Sequence, residues 1–165
     1  MDAKPFLAEI GRLLQQVGLE AVLIGNAAAA LQGAPVTTID FDFLFRKTPR
    51  NLAKVKTFAA ALGAVVLRPY YPASDLFRVV REEDGLQVDF MGTIHGVKSY
   101  EGLRARATTV VVEGIPIIVA SLADIIKSKR AAGRQRDKAV LDMLEKALEE
   151  KGAQKPETGR ASKRK

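Results

Sequence analysis

The stretch IGNAAAALQGAPVTTIDFDFLF, residues 24–45, decides how the rest of the chain folds around it. Its last part, IDFDFLF (39–45), alternates strictly, with the period of a β-strand. The pleat puts Ile39, Phe41, Phe43 and Phe45 on one face and Asp40, Asp42 and Leu44 on the other. Aspartate is depleted in strands. Two of them two residues apart project side by side, close enough to share a divalent cation. In a partly buried site their repulsion costs several kcal/mol unless a cation offsets it. An edge strand with a solvated polar face accounts for the same alternation.

Just upstream, AVLIG (21–25) is a short buried strand, and AAAALQ (27–32) is a helix-forming run broken by Gly33 and Pro35. Gly25-Asn26 therefore lies between a strand and a helix start, where backbone N–H groups are free to meet a phosphate. A plain Asn N-cap after a glycine turn is the simpler account of the same pair.

Outward from this stretch the pattern is mixed α/β. Phe6, Ile10, Leu13, Leu14 and Val17 recur at helical spacing, with Gly18 as the stop. A helix runs from Pro49 to about Leu62, capped by Gly63. Residues 64–67, 76–81 and 86–91 read as strands, the last two joined at Asp84-Gly85. TTVVVEGIPIIVA (108–120) is a hairpin turning at Glu113-Gly114, Ser121 caps a helix, and residues 135–150 form another. In QVDFM (87–91), Val88 and Phe90 face one way and Asp89 the other, so a third acid joins the first two if its strand is a neighbour.

These residues resemble the signature of the nucleotidyltransferase superfamily. That signature is a strand, Gly followed by Gly or Ser, a helix, Asp-x-Asp on the next strand, and a later third acid. The separation of Asn26 from Asp40, residues 27–39, falls within the usual gap. The resemblance implies an α/β (α+β) fold, a mixed sheet flanked by helices, with a C-terminal helical hairpin. It implies that Asp40 and Asp42 bind Mg2+ bridging the triphosphate of an NTP. Asp89 then completes the site and helps activate the attacking hydroxyl, and Gly25 and Asn26 hold the triphosphate. Asn26 departs from the usual Gly or Ser, although its amide can still donate to a phosphate oxygen.

A second stretch, SLADIIKSKRAAGRQRDKAVLDML (121–144), resembles the C-terminal helices of small stand-alone nucleotidyltransferases, many of them in toxin–antitoxin and abortive-infection systems. There a lysine and a downstream aspartate recur as site residues, which here are Lys129 and Asp137. Helical spacing places Lys129 on the stripe of Leu122, Ile125 and Ile126, and Asp137 on the side defined by Val140, Leu141, Leu144 and Leu148. An ion pair tying the two helices together is the alternative role for this couple. Arg134 and Arg136 are near enough in sequence to contact phosphate, or simply line a solvated loop. His95, alone in GTIHGV, is left outside the site. Tyr70 and Tyr71 offer rings for stacking on a base or packing over a sheet edge.

Composition narrows the classes further. The chain has 165 residues, no cysteine and one histidine, which excludes disulfides, thiolate metal sites and multi-histidine zinc sites. No apolar run approaches the roughly 20 residues of a membrane span, and the N-terminus lacks signal-peptide character, so a cytoplasmic location is expected. The net charge of +7 is concentrated at the end: residues 151–165 carry six basic side chains and one acid. That segment is expected to be a basic, disordered tail after a nucleotidyltransferase-like domain over 1–150. Its charge either assists RNA binding through phosphates or only solubilises the chain.

The expected activity is Mg2+-dependent transfer of a nucleoside monophosphate from an NTP to an acceptor hydroxyl, on an RNA or tRNA 3′ end, a protein or a small molecule. A toxin role brings an antitoxin protein as partner. The competing expectation is a weak or inactive member of the fold that binds nucleotide, RNA or a protein partner, which Asn26 favours. The plainest is a structural α/β protein whose aspartates only solvate a sheet.

Overall fold

The computed structural model describes residues 2–67 and 75–153. Arg68, Tyr70, Tyr71, Ser74 and all of the basic tail beyond Ala153 lie outside the described residues. Among the described residues seven strands form one mixed sheet. In chain order they are β1 (Ala21–Ile24), β2 (Asp40–Phe45), β3 (Val65–Leu67), β4 (Leu76–Arg81), β5 (Leu86–Met91), β6 (Thr108–Val112) and β7 (Ile115–Val119). Six helices accompany them among the described residues: α1 (Lys4–Val17), α2 (Gly25–Leu31), α3 (Pro49–Leu62), α4 (Tyr100–Arg106), α5 (Leu122–Ala132) and α6 (Gln135–Ala153).

The strand order is β3-β4-β5-β2-β1-β7-β6, so β2 and β5 are central neighbours although far apart in sequence. They run parallel, β1 is antiparallel to β2, and β1 pairs in parallel with β7. The phenylalanine face of β2 is the core. Phe43 stacks on Phe90 at 5.7 Å between ring centroids, and Phe58 of α3 meets Phe90 edge-on at 5.3 Å. α1 packs on α3 and β7, and α3 on β3 and β4. The acid face of β2 is left for the cleft described below, beside which α2 packs on α5 and α5 on α6. Gln32 ties this side together, donating to the carbonyl oxygen of Ala120 at 2.6 Å while its own side-chain oxygen accepts from Lys151 at 2.9 Å.

Local signals set most of the boundaries. Thr48 caps α3 by accepting from the Asn51 amide, and Ser121 caps α5 by accepting from Asp124. Glu113 and Gly114 both have positive φ, 49° and 79°, as a two-residue hairpin turn between twisted strands requires.

The sequence expectation fails in four places. Ile39 lies outside β2 and is 71% exposed, because pairing with β5 begins only at Asp40. The turn between β1 and α2 is tighter than expected, since α2 starts at Gly25 itself. Leu148 is exposed, and the buried side of α6 runs through Asp137, Leu144 and Ala147 instead. α4, capped by Ser99, is an additional helix that seats Tyr100 and Leu103 in the core.

Candidate active site

Register brings the acids together. β2 and β5 are parallel with Asp42 directly beside Asp89 and Asp40 beside Gln87, so the three carboxylates share one face of the sheet. On the other side of β2, Ile24 of β1 is the partner of Asp42, and the chain then passes into Gly25. Gly25 has φ +69°, and a β-carbon there would stand 3.1 Å from Oδ2 of Asp42. The turn into α2 thus lies against the Asp42 carboxylate. The side-chain oxygen of Asn26, Oδ1, is buried there with no hydrogen-bond partner.

Burial, then the charges of Asp89 and Asp40, push Asp42 up from the ordinary carboxylate value of 3.8 to about 6. Lys129 and Arg78 offset this only in part. Burial is the larger cause, and the two neighbouring acids add to it.

Across the cleft, α5 and α6 supply the opposite charge. Lys129 Nζ stands 3.6 Å from Oδ1 of Asp137. Asp137 is 1% exposed and also accepts from Arg134 at 2.6 and 3.3 Å. Burial alone would raise its pKa, but Arg134 and Lys129 together hold it below the usual range. Lys129 is lowered, chiefly by burial. The ion pair expected as the alternative for Lys129 and Asp137 is therefore present, and it faces the same cleft as the three acids.

The cleft has a volume of about 530 Å³, within the range of small-molecule sites. Asp40, Asp42, Asp89, Gly25, Asn26, Lys129 and Asp137 all line it, as do Arg134 and Arg136. Arg78, Thr93 and His95, the last left outside the site by the sequence reading, also line the cleft. Arg78 binds Asp89 through a two-point fork. His95 and Thr93 form part of the wall, carried by a loop whose Gly96 lies against α5. The loop signal was the glycine pair flanking GTIHGV; nothing local in LFRVVR marks Arg78.

The donor set, carboxylate oxygens only, suits Mg2+ in chemistry. Among the described residues no three acidic or imidazole groups are gathered closely enough to hold a cation together. Arg78 accounts for part of this, since Nε donates to Oδ1 of Asp89 at 3.0 Å and Nη2 to Oδ2 at 3.1 Å. Asp40, Asp42 and Asp89 suit a cation in charge and chemistry, with Asp89 engaged by Arg78 in this structure.

Residues 3–158 match the family model described as nucleotidyl transferase of unknown function (DUF2204). The chain belongs to this family. Its fold is shared by solved structures at low identity. A candidate nucleotidyltransferase from Thermotoga maritima is 22% identical, with a TM-score of 0.62 over 88% of this chain and 92% of that one. The antibiotic-resistance factor ANT(2'')-Ia is 15% identical, with a TM-score of 0.65 over 93% of this chain and 87% of that one. The lincosamide antibiotic adenylyltransferase LnuA, solved with lincomycin bound, is 12% identical, with a TM-score of 0.63 over 89% and 98%. No curated protein sequence is significantly similar to the chain. No helix among the described residues is long and apolar enough to cross a membrane.

Proposed function

We propose that this nucleotidyltransferase moves a nucleoside monophosphate from an NTP to an acceptor hydroxyl, and that Asp40, Asp42 and Asp89 would hold the Mg2+ that neutralises the triphosphate charge. The observation that carries the proposal is Asp42. Its carboxylate sits in register with a second acid, near a third, with a pKa raised to about 6 by burial first and then by those two neighbouring charges. When bound, the cation supplies charge neutralisation between these carboxylates and the phosphates.

The remaining work belongs to side chains and backbone. Gly25 and Asn26 hold the triphosphate beside Asp42, Asn26 through its side-chain amide. Lys129 meets the triphosphate charge from α5, kept in place by Asp137. In the reaction the acceptor oxygen bonds to the α-phosphorus, the α–β anhydride bond breaks, and pyrophosphate leaves. Asp89 takes the acceptor's proton. Positioning and charge balance dominate such a transfer.

Acceptors to test are RNA 3′ ends, protein side chains and small-molecule hydroxyls, the last also suggested by ANT(2'')-Ia, which has been solved in complex with adenylyl-2''-tobramycin. An antitoxin-type protein partner in the cytoplasm is carried forward from the sequence resemblance alone, and co-purification with neighbouring gene products tests it. Transfer of label from α-labelled NTP into RNA, protein or antibiotic, lost in Asp40→Ala, supports the enzyme. A second reading, a nucleotide-binding member without turnover, is favoured by Asn26 and by the engagement of Asp89 with Arg78. Nucleotide-dependent stabilisation without transfer to any of these acceptors supports that one.

A further inference from the structure

Arg78 lies on β4 directly opposite Asp89 in the antiparallel β4–β5 pair. Its guanidinium engages both carboxylate oxygens, and the side chain is 42% exposed against 8% for Asp89. Gln87 adds a donor to Oδ2 at 3.3 Å. An ionised carboxylate offers about four lone-pair positions. Arg78 and Gln87 take three of them. Asp89 is thus committed to protein donors at the place where the transfer reaction needs it. Arg78 itself lines the cleft, and its side chain is partly exposed to solvent.

Building on the proposed transfer reaction, we propose that Arg78 is a positioning residue that competes with the divalent cation for Asp89. In the resting protein the fork neutralises the buried Asp89 carboxylate. Cation binding draws Asp89 toward Asp42, its neighbour in register, and releases the guanidinium into the cleft. There a planar, permanently charged fork suits phosphate oxygens. Cation and triphosphate therefore assist each other: one frees the group the other binds. A lysine at this place could neutralise Asp89 but not hold both oxygens at once.

Mn2+ binding to the full chain, measured without nucleotide by electron paramagnetic resonance, tests the competition. Arg78→Lys, which keeps the charge and the fold, and Arg78→Gln should each bind Mn2+ about tenfold more tightly than the wild type, an ordinary size for coupled sites. The gain should vanish when Asp89→Asn is added, because the competition runs through that carboxylate. Arg78 variants that bind Mn2+ no more tightly than the wild type overturn the proposal. So does a gain that persists in the Asp89→Asn background, which would be general electrostatics. Asp42→Asn separates the two levels. If it leaves Mn2+ binding unchanged, the transfer reading itself fails; if it abolishes binding while Arg78 variants show no gain, only the competition fails.

Discussion

A β-carbon on Gly25 would stand 3.1 Å from Oδ2 of Asp42, so the backbone of the β1–α2 turn and the central acid of the cleft are packed as one unit. The φ of +69° adds a second constraint, because only glycine adopts it without strain.

Gly25→Ala should therefore lose about 1–2 kcal/mol of stability from the strained φ. Its larger effect should fall on the site, since Asp42 must shift to make room. Urea denaturation gives the first quantity and nucleotide titration by calorimetry the second. Equal nucleotide affinity in the variant and the wild type would show that the turn has no part in binding.

The raised pKa of Asp42 gives a pH dependence of definite sign. Its folded value of about 6 exceeds the unfolded value near 3.8, so folding is favoured by protonation of this group. That contribution is fully present below the unfolded pKa and is lost as pH rises through about 6. Without divalent cation, Asp42→Asn should be more stable than the wild type by roughly 1–3 kcal/mol at neutral pH, and the two should converge toward pH 4. Excess Mg2+ should stabilise the wild type and leave the variant unmoved. Thermal melts across pH, with chelator and with Mg2+, check all three statements. A variant no more stable than the wild type at neutral pH would mean the three acids merely solvate the sheet.

Asp137 works in the opposite direction. Its carboxylate is held below the usual range by Arg134 and Lys129 against the cost of burial. The stability it contributes is present above its unfolded pKa and disappears as pH falls through the lower folded value. Asp137→Asn should cost about 1–3 kcal/mol at neutral pH, by leaving buried donors with a weaker acceptor. Its acid transition should be shallower than that of the wild type. The same change loosens Lys129, so nucleotide affinity should fall as well. Circular dichroism in acid and nucleotide titration at neutral pH measure the two effects, and an unchanged affinity would confine the ion pair to joining α5 and α6.

Much of the site is visible in the chain before it folds. The alternation of IDFDFLF places Asp40 and Asp42 together, and the same device in QVDFM sets Asp89 on the face opposite Phe90. Helical spacing is enough to put Lys129 and Asp137 on inward stripes. Ile39 and Leu148 depart from the expected burial for a common reason: periodicity extends past the point where a neighbour stops covering the element. α4 was missed because its seven residues are too short to show a period and rest on a serine cap and two core side chains.

The sequence alone determined which side chains share a face, since pleat and helical pitch are local properties of the backbone. It also fixed the punctuation: Gly18 and Gly63 as helix stops, Ser121 as a cap, Glu113-Gly114 as a hairpin turn. Only the tertiary structure decided that β2 and β5 pair in parallel with Asp42 beside Asp89, and that β4 sets Arg78 against the third acid. Strand partners distant in the chain are chosen by which faces can bury one another, and a guanidinium finds its carboxylate only after that choice is made.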